Sequence, residues 1–276
     1  MSISISVDLE LMWGFIGMGG GRFFLEDPSM GRDNVLWLLD ELDRYEVPIT
    51  FFTVGHLFLH PDEALNIIHP DLPQFRRKIL SWDFYSQILG KKLYHAPDII
   101  EEIKSRKMHE VGLHGFFHIP FNELTEEEAR AEMELSMMAS KMRNISPEGM
   151  AFPKNREGKL KILREYGISF VRGGSYSGRS RLSLARRLIR SSVSVEEGLT
   201  VIHSSYFLDT RGSFFTIPLL KMKIMRKRHV HFWFHPWNLY SGRGGLLDFL
   251  AYIRRLRNEK GLEILTLGEF SSKLIS

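Results

Sequence analysis

Short apolar runs alternate along this chain with longer segments in which apolar residues recur at helical spacing. Apolar residues recur at that spacing from Val35 to Tyr45 and, less strictly, from Ala129 to Met138, which predicts two helices. The apolar runs predict strands at 3–7, 49–54, 110–113, 149–152, 168–171, 199–203, 230–234 and 262–265. This alternation predicts an α/β fold with a mostly parallel sheet, either open or closed into a barrel.

Local signals refine this pattern and indicate one domain. Thr125 followed by Glu128 is a capping box, which predicts the start of the second helix. Residues 57–96 interrupt the alternation, are rich in histidine, proline and aromatic residues, and contain one helix-like piece near 73–89. We therefore expect a single domain over 1–276 with an insertion at about 57–96.

Composition narrows the kinds of site that are available. The chain has 276 residues, 43% of them apolar and 25% charged, which is typical of a globular protein. It has no cysteine, so a metal would be bound by histidine, aspartate, glutamate or water. The first residues predict a strand instead of a signal peptide, and no apolar run approaches the roughly 20 residues of a membrane span. We expect a cytoplasmic protein.

The net charge of +4 is unevenly distributed. Residues 179–190 contain five arginines, residues 221–228 contain five lysines and arginines, and neither stretch contains an acid. Such stretches are typical of contact with phosphate, nucleic acid or a membrane surface, but also of an ordinary solvated face. Because both also carry apolar residues, we expect one of them to border the active-site mouth and to contact anionic lipid head groups or a pyrophosphate.

Carboxylates and imidazoles follow three of the predicted strands. Asp8 and Glu10 follow the first strand, His114 and His118 follow the third, and His235 follows the strand at 230–234. In α/β folds, ligands gather at the carboxyl ends of the parallel strands. Two imidazoles four residues apart and a carboxylate can share a metal, while a second carboxylate and another histidine can move protons. This set is typical of metal-assisted hydrolysis of an amide or an ester.

Each of these residues also has a purely structural interpretation. Asp8 could cap the helix that follows it. His114 and His118 could be structural histidines, and His235, between Phe234 and Pro236, could be a core residue.

Several stretches resemble the polysaccharide deacetylases of the NodB-homology, carbohydrate esterase 4 type. The most specific of them contains the two histidines of the H-x-x-x-H spacing, preceded by a glycine. The resemblance extends to the C-terminus, except at 57–96 and 173–215. The similar stretches are 6–10 (SVDLE), 48–55 (PITFFTVG), 108–118 (MHEVGLHGFFH), 121–128 (FNELTEEE), 151–155 (AFPKN) and 232–235 (FWFH).

This resemblance implies a fold and a role for each residue of the set. The fold would be a distorted (β/α) barrel of mostly parallel strands. Asp8 would be the general base and His235 the general acid. Glu10, His114 and His118 would bind a divalent metal, with zinc expected.

The chain departs from the family pattern at three points. Its second acid is Glu10, two residues after Asp8, where the commoner pattern has adjacent aspartates. Ala151 stands where the family has the arginine that orients the base, and Lys154 or Arg172 could replace that arginine. We find no match to the fourth motif of the family.

The implied function is removal of an acyl group, expected to be acetyl, from an amino sugar. The metal and a backbone N–H near Pro153 would stabilise the oxyanion. The expected substrate is a polysaccharide, an oligosaccharide or a lipid- or nucleotide-linked precursor, with peripheral membrane contact and no nucleic acid as a partner. The alternatives are a metal-independent amidohydrolase of the allantoinase-like type and a non-catalytic sugar-binding relative.

Overall fold

The computed structural model describes residues 1–16, 29–67, 92–173, 193–203, 205–208, 210 and 229–275. All eight predicted strands are present. Two further strands, β6 and β8, were not predicted. The strands are β1 (Ser2–Leu9), β2 (Thr50–Thr53), β3 (Glu110–Leu113), β4 (Gly149–Ala151), β5 (Phe170–Arg172), β6 (Val193–Glu196), β7 (Leu199–Ile202), β8 (Ser205–Phe207), β9 (His229–Phe234) and β10 (Glu263–Leu265).

Helices connect most of these strands. The predicted capping box is confirmed, because the Thr125 side chain accepts from the Glu128 backbone N–H and the Glu128 side chain accepts from the Thr125 N–H. The helix-like piece near 73–89 and both basic stretches lie outside the described residues. The helices are α1 (Ser29–Tyr45), α2 (Pro61–Ile67), α3 (Pro97–Ser105), α4 (Glu126–Met142), α5 (Leu160–Glu165), α6 (Arg243–Lys260) and α7 (Leu267–Ile275). None of the helices in the described ranges combines the length and apolar character that a membrane span requires.

The strands form one curved sheet in the order β6-β7-β5-β4-β3-β2-β1-β9-β8, and β10 also pairs with β1. The pairings are parallel except for the antiparallel pairing of β6 with β7. The sheet curls into a distorted (β/α) barrel, as expected from the sequence. Because the paired strands run in one direction, their carboxyl ends meet at one end of the barrel.

Strand β1 is buried along its whole length and has one apolar face and one polar face. The polar face lies inside the barrel, beside the polar side chains of the neighbouring strand β9. His229 lies 2.9 Å from the Ser2 hydroxyl and 3.0 Å from the Ser4 hydroxyl, and His231 lies 3.0 Å from the Ser6 hydroxyl. The apolar face joins the main core and carries Ile3, Ile5, Val7 and Leu9.

We expect His229 to make the protein less stable in acid. Burial lowers the pKa of His229 to about 3 from the ordinary histidine value of 6.5. Below pH 6.5 the unfolded chain therefore binds a proton on this histidine, whereas the folded chain binds it only near pH 3. The free energy of unfolding consequently falls as the pH drops through that interval. This difference in pKa makes the free energy of unfolding about 2 kcal/mol lower at pH 5 than at pH 8.

This prediction is tested by urea unfolding at pH 8 and at pH 5. His229→Asn should lose less stability than the wild type between these two pH values, because asparagine does not titrate. The control is His60→Asn at an exposed histidine, which should behave as the wild type does. Equal pH dependence of the wild type and His229→Asn would contradict the prediction.

Candidate functional site

The structure brings together all five site residues that were predicted from the sequence. Asp8, Glu10, His114 and His118 are each at least nine-tenths buried. The side chain of His235 is 18% exposed and completes the group. The strands that lead to these residues end at the same end of the barrel, so the fold brings together side chains that lie far apart in the sequence.

Glu10 is the centre of the group. Its Oε1 atom lies 2.8 Å from His114 Nε2, 2.9 Å from His118 Nε2 and 3.6 Å from His235 Nε2. His114 Nδ1 lies 2.9 Å from the Ala151 carbonyl oxygen and must donate to it, because a carbonyl only accepts. In neutral His114 the lone pair of Nε2 therefore faces the carboxylate of Glu10. This arrangement is stable when the imidazole is protonated or when a cation lies between the two groups.

The donor atoms of Glu10, His114 and His118 lie within 4.8 Å of one another. Burial would raise the pKa of Glu10, but His118 and His235 outweigh it and keep this pKa well below its usual value. Two imidazole nitrogens and an ionised carboxylate are a common donor set for zinc in hydrolytic sites. The residues present therefore fit a divalent metal.

A buried glutamate, which sequence reasoning missed, supports the turn between the two histidines. Glu132 on α4 accepts the backbone N–H of Phe116 at 2.6 Å and that of Phe117 at 3.3 Å. Burial raises the pKa of Glu132 to about 7, in spite of these two bonds. One sequence signal was available, because Glu132 lies three residues after Ala129 and so falls on the buried face of α4.

Asp8 forms a buried, two-bond ion pair with Arg172 at the end of β5. Arg172 Nη1 donates to Asp8 Oδ1 at 2.5 Å, and Nη2 donates to Oδ2 at 2.7 Å. Burial would raise the pKa of Asp8, but Arg172 and His114 keep it below its usual value. Of the two residues considered to orient Asp8, Arg172 therefore contacts it, whereas Lys154 is exposed.

Two tryptophans orient the ring of His235. The indole of Trp237 stacks on it with ring centroids 4.0 Å apart and an interplanar angle of 14°, and Trp233 meets its edge at 5.3 Å. His235 Nε2 lies 3.9 Å from Asp8 Oδ2. Burial would lower the pKa of His235, but Glu10 and Asp8 raise it above its usual value. The imidazole is thus more readily protonated than an ordinary histidine, at the one partly exposed position among the five residues.

We expect Gly14→Ala to weaken metal binding. A Cβ atom at Gly14 would lie 2.0 Å from Glu10 Oε2 and 2.8 Å from Trp237 Cη2, so the carboxylate of Glu10 must move. Zinc affinity should fall about 10- to 100-fold, the usual loss when a ligand loses its support. Titration calorimetry measures this. Gly244→Ala is the control, because its Cβ would meet nothing within 4 Å; equal affinity of the two variants would contradict the prediction.

The sequence of this chain matches a known protein family. The profile of the family described as polysaccharide deacetylase matches residues 27–171, just over half of the chain. A search of curated protein sequences finds no match to this chain. The matched range includes His114 and His118, whereas Asp8, Glu10 and His235 lie outside it.

Solved structures show the same fold at low sequence identity. A protein from Mycobacterium smegmatis classed as a polysaccharide deacetylase has a TM-score of 0.63 at 15% identity, over 99% of this chain and 90% of that one. The allantoinase PuuE has a TM-score of 0.62 at 13% identity, over 98% and 89%. A CE4-family pseudoenzyme from Bacillus anthracis has a TM-score of 0.51 at 13% identity, over 98% and 65%.

Proposed function

This chain belongs to the polysaccharide deacetylase family, and on that premise we propose that it is a metal-dependent hydrolase that removes an acyl group from an amino sugar. The acyl group is acetyl in the simplest case, and the sugar is part of a polysaccharide, an oligosaccharide or a lipid- or nucleotide-linked precursor. The observation that carries the proposal is the buried pair of Asp8 and Glu10 beside three imidazoles.

Asp8 is the general base of the proposed reaction. Its carboxylate is anionic at neutral pH because Arg172 lowers its pKa below the usual value. One of its oxygens, Oδ2, also lies 4.0 Å from His114 and 3.9 Å from His235, so it faces the centre of the group. From there the carboxylate can take a proton from an attacking water.

Glu10, His114 and His118 are the residues that would bind the metal, with zinc as the expected ion. When bound, a divalent metal supplies Lewis-acid activation of water and of a carbonyl group. The Ala151 carbonyl fixes the ring of His114, and Glu132 fixes the turn that leads to His118. These partners set the direction of the two imidazoles before any ligand arrives.

His235 is the general acid. Its raised pKa favours the protonated imidazole, and its exposed edge can reach a bound substrate. It would give this proton to the departing amine. The turn Pro153–Asn155 begins one residue beyond the end of β4 at Ala151, after Phe152, and would supply a backbone N–H to the oxyanion of the tetrahedral intermediate.

A second candidate is a metal-independent amidohydrolase. The distances of 2.8 Å and 2.9 Å from Glu10 to His114 and His118 are those of direct hydrogen bonds, which protonated imidazoles would make without a cation. In this case the same residues would act only through proton transfer and hydrogen bonding.

Metal analysis and acetate release together separate these candidates. The purified protein is analysed for bound metal and then incubated with N-acetylglucosamine oligosaccharides before and after treatment with a chelator. We expect acetate release that falls by at least about 100-fold on chelation and returns with added Zn²⁺. His114→Ala should lose both zinc binding and activity, whereas His60→Ala at an exposed position should keep both.

Each other outcome is equally informative. Hydrolysis of an amide that is insensitive to chelation would favour the metal-independent amidohydrolase. Zinc binding without hydrolysis of any acetamido sugar would contradict the proposed reaction. The anionic attachment of the substrate and its contact with a membrane stay predictions, because both basic stretches lie outside the described residues.

A further inference from the structure

A line of buried hydrogen bonds runs inside the barrel from β9 to the proposed base. His231 Nε2 lies 3.0 Å from Ser6 Oγ, and Arg172 Nη1 lies 3.2 Å from the same oxygen. Arg172 then makes its two bonds to Asp8. Ser6 and His231 are 0% exposed and Arg172 is 1% exposed, so solvent does not compete for any of these bonds.

Donor chemistry fixes one bond of this line. A guanidinium only donates, so Ser6 Oγ accepts from Arg172, and its second lone pair and its own hydrogen are left for His231 Nε2. A neutral His231 ring accepts from Ser6 when its proton is on Nδ1 and donates to Ser6 when its proton is on Nε2. Burial and the charge of Arg172 lower the pKa of His231 well below its usual value, which agrees with a neutral ring.

Few hydrogen-bond partners orient Arg172. Among the described residues, Nε of Arg172 has no hydrogen-bond partner. Its Nη1 and Nη2 atoms bond Asp8, and Nη1 also bonds Ser6, while Nη2 bonds Asn155 at 3.3 Å. Ser6 and Asn155 therefore fix the two ends of the guanidinium plane that faces the carboxylate.

Strand geometry explains why Ser6 can reach the partner of Asp8. Residues two apart on a strand point to the same face, about 7 Å from each other. One guanidinium can thus bond the hydroxyl of Ser6 and the carboxylate of Asp8 together. Ser4, two residues earlier, bonds His229 at 3.0 Å instead and does not contact Arg172 in any described bond.

We propose that Ser6 is a positioning residue for Asp8, acting through Arg172, and that the bond to His231 holds the Ser6 hydroxyl in place. The proposal rests on the deacylase function proposed above. Ser6 touches neither metal nor substrate in this scheme. Its hydroxyl keeps the guanidinium in the plane that aligns the base for proton transfer.

Ser6→Ala and Ser4→Ala form a matched pair for the kinetic test. Both remove a fully buried hydroxyl that is bonded to a histidine on β9. We expect Ser6→Ala to lower kcat about 10- to 100-fold with KM nearly unchanged, because misplacement of a catalytic group costs rate and not substrate binding. Ser4→Ala should keep the wild-type kcat, and Ser6→Thr should recover most of it because it restores the hydroxyl.

A second measurement tests the network without any activity. A double-mutant cycle of Ser6→Ala with Arg172→Lys, followed by urea unfolding, measures the coupling of these two side chains. We expect non-additivity of about fivefold in the unfolding equilibrium constant, and additivity for Ser4→Ala with Arg172→Lys. Arg172→Lys keeps a positive charge beside Asp8, so we expect this variant to fold.

The two measurements separate the possible failures. A wild type that hydrolyses no acetamido sugar refutes the proposed function, while the unfolding cycle still reports on the network. Additivity of Ser6→Ala and Arg172→Lys would overturn the network. Equal kcat values for Ser6→Ala and Ser4→Ala in an active wild type would overturn the positioning role.

Discussion

Replacing Asp8 by asparagine is expected to lower kcat/KM by about 10²- to 10⁴-fold while the protein remains folded. This is the usual contribution of a positioned general base, and asparagine has the same shape but cannot accept the proton. Arg172 would keep Ser6 and Asn155 as hydrogen-bond partners and Trp233 beneath its guanidinium, at 4.9 Å from the ring centroid. Its buried charge would therefore still be solvated by the protein.

The measurement is the rate of acetate release, with zinc content and thermal unfolding determined on the same sample. Asp62→Asn, at an exposed position on α2, is the control and should retain the wild-type rate. An Asp8→Asn variant that turns over the true substrate as fast as the wild type would remove Asp8 from the mechanism.

Replacing Arg172 by methionine is expected to lower the free energy of unfolding by about 3–5 kcal/mol. That is the usual cost of removing one partner from a buried ion pair, because the other charge then has no counter-ion in a low-dielectric interior. The pair here is fully enclosed, with side-chain exposures of 0% for Arg172 and 2% for Asp8. Activity should fall as well, because the carboxylate loses the group that orients it.

Urea unfolding at pH 7 measures the loss of stability. The control is Arg156→Met, which removes an ion pair with Glu123 in which the two side chains are 53% and 51% exposed. Such a surface pair contributes about 0–1 kcal/mol. The double variant Asp8→Asn with Arg172→Met should recover part of the loss. A cost for Arg172→Met no larger than that for Arg156→Met would contradict the prediction.

Local patterns in the sequence predicted most of the framework. Strands β2 and β9 are fully buried and lie in segments rich in aromatic and β-branched residues, a signal that can be recognised without knowledge of the neighbouring strands. The two missed strands lack this signal. Strand β6 is half-exposed with serine and glutamate along it, and β8 has only three residues, so their pairing with β7 and β9 decides their conformation.

The five candidate site residues were also predictable, and the reason is geometrical. In a parallel sheet the residue that follows each strand lies at the same end, so Asp8, Glu10, His114 and His235 could be grouped from strand positions alone. His118 joined them through its four-residue spacing from His114. Their grouping needed only the direction of the strands and not their order.

The partners of these residues were decided by the tertiary structure. Sequence reasoning left Lys154 and Arg172 as equal candidates to orient Asp8, because a lysine and an arginine at strand ends look alike in a sequence. Curling of the sheet carries β5 across the barrel from β1, four positions away in strand order, and this brings Arg172 to Asp8. The support by Glu132 of the turn between His114 and His118 and the need for glycine at residue 14 arise in the same way.

The features that the sequence determined and those that the tertiary structure decided therefore differ in the distance along the chain over which their interactions act. Periodicity, capping and strand-end chemistry act within a few residues, so the sequence by itself determined the elements and the reactive groups. Which buried charge meets which partner depends on the curvature of the sheet, since burial makes an unpaired charge costly only after the barrel has closed around it. Asp8 and Arg172 are 164 positions apart in the sequence, and no local signal predicts their contact.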